Sequence, residues 1–149
     1  MRAVVQRVQR AQVSVDEKIV GRIGPGLCVL VGVYIEDDLS CVRKLAQKVA
    51  ALRVFSDQDD KMNLSVRDVR GAILAISQFT LCADTRKGSR PSFIQAMQPG
   101  PARQLFEHFV QALRDESLSV QTGSFREHMA VELVNDGPVT IVLDTKRGS

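Results

Sequence analysis

The stretch of this chain whose residue types and spacing could do chemistry is Ser77-Gln78-Phe79-Thr80-Leu81-Cys82-Ala83-Asp84. Three polar side chains, Ser77, Gln78 and Thr80, follow the apolar run Ala72–Ile76 without a break. A strand that leaves the core into hydroxyl and amide groups mounts a site on a rigid element. A strand end whose polar groups only cap a turn would read the same way. A second unusual stretch is Asn135-Asp136-Gly137-Pro138-Val139-Thr140. Asp-Gly and Gly-Pro are turn formers, so it reads first as a hairpin connection. A Gly-Pro bond can also be cis at a cost of about 0.5–1 kcal/mol. Arg86, Lys87 and Arg90 sit close together in a polar, basic loop.

Most other catalytic equipment is missing. His108 falls beside the apolar stripe of a helix and His128 in the polar run Arg126-Glu127-His128, where a solvated loop residue is expected. There is no His-x-x-His, no Gly-x-Ser-x-Gly and no phosphate-binding glycine loop, so neither a metal nor a cofactor is expected. Cys28, Cys41 and Cys82 are odd in number and lack Cys-x-x-Cys spacing, which argues against a disulfide framework and for a reducing cytosol. The net charge of +3 permits a nucleic-acid partner without demanding one. The opening, with Arg2, Arg7 and Arg10 among valines, has no uninterrupted apolar region, so neither a signal peptide nor a membrane span is expected.

The elements that must position these residues read as follows. Gln12–Asp16 alternates polar and apolar, Asp16-Glu17-Lys18 is a turn, and Ile19–Ile23 is its hairpin partner. Gly24-Pro25-Gly26 punctuates the chain before Leu27–Val33, a continuous apolar run expected to be buried on both faces. A helix capped by Asp37 or Asp38 follows, with Leu39, Val42, Leu45, Ala46 and Val49 on one face. Val54-Phe55 and Ala72–Ile76 are short strands, and Ser56–Lys61 a loop. A second helix runs from about Pro101 with the stripe Ala102, Leu105, Phe106, Phe109, Ala112 and Leu113. Met129–Val134 and Val139–Leu143 are two further strands joined by residues 135–138. The sum is one α+β domain over 1–149, with 145–149 as a fraying tail. Its mixed or antiparallel sheet is expected to curl into a barrel-like core with two main helices. Strands dominate, and a homodimer is an economical cover for their edges.

Taken together, these stretches resemble the two signature motifs of the D-aminoacyl-tRNA deacylases. The similarity continues through Gln6-Arg7-Val8, Gly24–Gly32, Phe55-Ser56-Asp57, Lys61-Met62-Asn63-Leu64, Arg90-Pro91-Ser92-Phe93 and Gln121-Thr122-Gly123, in matching order up to Leu143. Cys82 departs from the tyrosine or alanine expected there, and the tail after Leu143 is longer than expected. The resemblance implies a cytoplasmic homodimer that hydrolyses the ester between a D-amino acid and the terminal adenosine of tRNA, without metal or cofactor. It also implies removal of glycine from tRNA that should not carry it. Within that resemblance, the backbone N–H groups of Phe79 and Thr80 hold the developing oxyanion while Ser77 and Gln78 keep the geometry, and attack by the Thr80 hydroxyl, with no base in evidence to deprotonate it, is the alternative. Gly137 and Pro138, joined by a cis bond, reach the partner subunit's site and exclude L side chains, with Arg7 holding the motif in place. Arg86, Lys87 and Arg90 contact tRNA phosphates. Two other readings stay open: an editing domain of related fold with a trans Gly-Pro bond, and a nucleic-acid-binding dimer without turnover.

Overall fold

The computed structural model describes residues 1–147. Among the described residues, eight strands and two α-helices follow one another as β1 (Arg2–Val15), β2 (Lys18–Ile23), β3 (Gly26–Gly32), α1 (Leu39–Ala51), β4 (Phe55–Ser56), β5 (Met62–Leu64), β6 (Ala72–Ser77), α2 (Pro99–Asp115), β7 (Ser119–Thr122) and β8 (Ala130–Asp144). The main sheet runs β2-β1-β3-β6-β7, with β8 also paired to β1. The β1–β2, β1–β3 and β1–β8 pairs are antiparallel. The β3–β6 and β6–β7 pairs are parallel. The sheet is therefore mixed.

It curls because β1 serves both ends. Its first half pairs with β3 and its second with β2. The curled β2 comes against β7, where a Cβ on Gly21 would lie 2.6 Å from the Thr122 carbonyl oxygen. The result is a nearly closed, barrel-like sheet in one domain.

The continuous apolar run of β3 is explained by burial on both faces. Leu27, Val29 and Val31 face the helices together with Ile73 and Ala75 of β6. Cys28, Leu74 and Ile76 point into the barrel against Val8, Ala11, Val13 and Ile23. On the helix side, α1 contributes Val42, Leu45, Ala46 and Val49, and α2 contributes Phe106, Phe109 and Leu113. Phe109 is fully buried; trimming such a ring to alanine costs about 3–5 kcal/mol through lost transfer energy and the cavity left behind.

Asp38 caps α1, accepting from the Ser40 and Cys41 N–H groups. Asp37 instead accepts from the Met1 amine at 2.7 Å and from the Tyr34 N–H at 2.6 Å. Leu39, read as part of the apolar face, is 44% exposed, because it is the first residue of α1 and the buried face begins at Val42. α2 begins at Pro99, two residues before the expected start. Thr145–Arg147 form a 3-10 turn in which the Thr145 N–H donates to the Met1 carbonyl. Gly148 and Ser149 of the expected tail lie outside the described residues.

The expected pair of strands at 129–134 and 139–143 is one strand. Both halves of β8 pair antiparallel with β1, so the chain does not reverse between them. Val8 faces Asn135 and Gln6 faces Thr140, which leaves Asp136–Val139 opposite Arg7 alone. The segment is a bulge of four residues against one. Asn135 closes it: its Oδ1 accepts from the Val139 N–H at 2.8 Å and its Nδ2 donates to the Val139 carbonyl at 3.2 Å. The Gly137–Pro138 bond is cis.

Candidate active site at the end of β6

β6 lies between β3 and β7 and leaves the core at Ser77, where the Gln78 N–H makes a last bond to the Val31 carbonyl at 2.8 Å. The chain then tightens into a 3-10 turn, Phe79–Cys82, in which the Leu81 N–H donates to the Gln78 carbonyl and the Ala83 N–H to the Thr80 carbonyl. The first N–H groups of a helical turn have no partner inside it. Those of Phe79 and Thr80 find no acceptor among the described residues. The Gln78 side chain donates to the Thr80 hydroxyl at 2.5 Å, which locks two polar groups of the turn together.

This turn forms one wall of a cavity of about 540 Å³. Ser77, Gln78 and Phe79 line it with Val31 and Val33 from the β3 end, and with Pro99 and Ala102 from the start of α2. Phe93 closes one side, its ring 5.0 Å from that of Phe79 in an edge-on arrangement. The opposite wall is Phe125–Met129, with Val131 of β8. The cavity is lined by apolar side chains with polar groups on both walls, Ser77 and Gln78 on one and Arg126, Glu127 and His128 on the other, a composition that suits a small-molecule site. Thr80 is exposed beside it.

Sequence reasoning missed the Phe125–Met129 wall. His128, read as a solvated loop residue, is exposed but also lines the cavity. Its position is set by the β7–β8 connection, which no local pattern announces. No hydrogen bond joins His128 to Ser77 or Thr80 among the described residues.

Gly137 and Pro138 are exposed and do not line this cavity. Arg7 supports them from β1. Its Nε donates to the Asp136 carbonyl at 2.9 Å, its Nη1 donates to the Val54 carbonyl at 2.6 Å, and the Asp136 carboxylate lies 3.6 Å away. Gly137 has φ +139°, a conformation that L side chains rarely adopt. A Cβ there would meet Val139 Cγ2 at 2.8 Å and Arg7 Nη2 at 3.1 Å.

The basic loop is exposed throughout Arg86, Lys87 and Arg90. Arg86 is not a free cation, since its Nε and Nη2 donate to the two Asp84 carboxylate oxygens at 2.9 and 2.6 Å. The Arg86 guanidinium holds the Asp84 carboxyl down at about 2. Burial pushes the Cys28 and Cys82 thiols up to about 11. Among the described residues no three His, Cys, Asp or Glu side chains gather as a metal site would need, and no helix is long and apolar enough to cross a membrane.

A site of this build, with backbone donors at a strand end on an apolar cavity, suits a hydrolase that polarises an activated carbonyl. Comparison with known proteins narrows the class. Residues 4–144 match the family model described as D-Tyr-tRNA(Tyr) deacylase. A D-aminoacyl-tRNA deacylase of Thermotoga petrophila is 55% identical, covering 99% of each chain. One of Desulforamulus reducens is 53% identical, also over 99% of each chain. Among solved structures, the c-Myc DNA unwinding element binding protein superposes with a TM-score of 0.91 at 40% identity, covering 97% of this chain and 98% of its own. A probable eukaryotic D-amino acid tRNA deacylase shares the fold, with a TM-score of 0.82 at 17% identity and coverage of 95% and 97%. The chain belongs to the D-Tyr-tRNA(Tyr) deacylase family.

Proposed function

We propose that this chain hydrolyses the ester of D-aminoacyl-tRNA at the Ser77–Thr80 wall, and that it does so as a homodimer. The observation that carries the reading is the pair of N–H groups, on Phe79 and Thr80, that find no partner among the described residues, beside a largely apolar cavity. An aminoacyl ester is already activated, so orientation and two oxyanion donors suffice for a large part of the acceleration. Water adds to the ester carbonyl carbon and its oxygen becomes the oxyanion held by the two N–H groups. The carbon–oxygen bond to the ribose then breaks, the ribose oxygen takes a proton, and free tRNA and the D-amino acid leave. The adjacent ribose 2′-hydroxyl helps to activate the water. Gln78 and Thr80, joined at 2.5 Å, keep the turn in shape.

Stereochemical choice falls to the β8 bulge of the second copy. Gly137 and Pro138 are exposed and absent from their own cavity, as a segment serving a partner must be. Arg7 fixes the bulge through the Asp136 carbonyl. In this reading the backbone oxygens of the bulge accept from the α-amino group and leave no room for an L side chain. Glycine, with no side chain, passes. Arg86, Lys87 and Arg90 lie against tRNA phosphates, with Arg86 weakened by its Asp84 partner.

The test is turnover of D-aminoacyl-, L-aminoacyl- and glycyl-tRNA by protein freed of metal. Hydrolysis of the D and glycyl esters with the L ester spared is the expected result. Cleavage of L esters at the same rate contradicts the stereochemical part. Binding without cleavage of any ester would make the chain a nucleic-acid-binding dimer.

A further inference from the structure

The charge of this molecule is unevenly placed. Residues 39–56 carry Arg43, Lys44, Lys48 and Arg53 and no acid, whereas the rest of the chain holds sixteen cations against seventeen acids. The whole positive excess therefore sits on α1 and the few residues after it. Val42, Leu45, Ala46, Val49 and Ala50 turn one face of α1 inward. Arg43, Lys44 and Lys48 occupy the opposite, exposed arc together with Gln47, and none of the three makes an ion pair among the described residues. Lys44 and Lys48 are one turn apart, a like-charge spacing that weakly opposes the helix. By contrast α2 pairs its Arg103 with Glu107, and the basic loop pairs Arg86 with Asp84.

The strip is also well placed. Val31 and Val33 line the cavity, and Asp38 caps α1 a short way further along the chain. β3 and β6 are parallel, so the connection that contains α1 must carry the chain back from the cavity end of the sheet to the other end. The cations therefore lie on the connection that leaves the cavity end of the sheet and returns to its other end.

We propose that the exposed face of α1, through Arg43, Lys44 and Lys48, is a docking surface for the sugar–phosphate backbone of the substrate's acceptor stem. The proposal rests on the deacylase reading above, which puts the 3′ end of a tRNA in the cavity. A duplex leaving that cavity carries a continuous line of phosphates, and lysine and arginine neutralise it without reading its sequence. Such a surface serves every tRNA alike, whatever amino acid it bears.

The experiment compares two substrates, D-aminoacyl-tRNA and D-aminoacyl-adenosine, which share the ester but not the stem. The variants are the triple exchange R43Q/K44Q/K48Q and the charge-keeping control R43K/K44R/K48R. For the neutral variant kcat/KM on the tRNA should fall about tenfold or more at low salt, through KM, and the salt slope should flatten by about one for each phosphate left without its cation. Its kcat/KM on the adenosine ester should not change, and the control should behave as wild type. Unchanged tRNA turnover and salt slope in the neutral variant overturn the proposal, as does an equal loss on both substrates. Unchanged tRNA turnover together with lost binding to phosphatidylserine–phosphatidylcholine vesicles would assign the face to a lipid surface and overturn it too. A wild-type protein that cleaves neither ester overturns the deacylase reading, and this proposal with it.

Discussion

At the residue scale, the backbone of the 3-10 turn matters more than the side chains it carries. Phe79 opens the turn, and Gln78 before it lies outside the helical region, with φ −141° and ψ 82°. Proline is tolerated at the first position of a helical turn when the preceding residue is not helical, so Phe79→Pro removes one N–H donor without breaking a hydrogen bond of the turn. The donor's loss should lower the single-turnover rate about 10²–10³-fold, the range found for one oxyanion donor elsewhere. Phe79→Ala and Thr80→Ala keep both N–H groups and should retain far more activity. A Thr80→Ala protein as inactive as Phe79→Pro, or an acyl group trapped on Thr80, would mean that the hydroxyl attacks the ester.

At the element scale, the site depends on one strand end and one bulge, and they differ in legibility. Ser77–Thr80 is readable because a short apolar run ends abruptly in polar groups, which is how β6 leaves the sheet. The bulge can be located from sequence, but its shape cannot. Asp-Gly-Pro carries turn chemistry, and local sequence does not show that residues on both sides pair with the same strand, β1. The Phe125–Met129 wall is invisible at that level, because it is placed only by the return of β8 alongside β1. Arg7 ties the bulge to the residue before β4 through the Asp136 and Val54 carbonyls. Arg7→Ala removes both bonds. It should lower discrimination against L esters more than it lowers thermal stability, measured as D-to-L turnover ratios beside Tm. A variant with a lowered Tm but normal discrimination would make Arg7 a stability residue only.

At the scale of the whole molecule, the curled sheet encloses a small core of its own and lays a larger one against the helices. Cys28 belongs to the inner core and Cys82 packs with Tyr34 and Ala96. Both thiols are held up at about 11 by burial. A raised thiol pKa means the folded chain binds more protons than the unfolded one above about pH 9, so this contribution to stability is intact below that pH and is lost as pH rises toward 11. Chemical denaturation midpoints should fall over that window in the wild type, and less in Cys28→Ala. A midpoint that rises with pH there would contradict the burial argument.

In the proposed dimer each site takes its wall from one copy and its gate from the other. Phe79→Pro spoils the wall. Gly137→Ala spoils the gate, since φ is +139° and the new Cβ meets Val139 and Arg7. Either protein alone should hydrolyse D-aminoacyl-tRNA poorly. When the two are denatured together in equal amounts and refolded, a two-fold dimer gives half mixed dimers, each with one intact site, so activity should recover to about a quarter of wild type. Recovery to that level is the predicted result. No recovery, with mixed dimers shown to be present, would contradict a shared site.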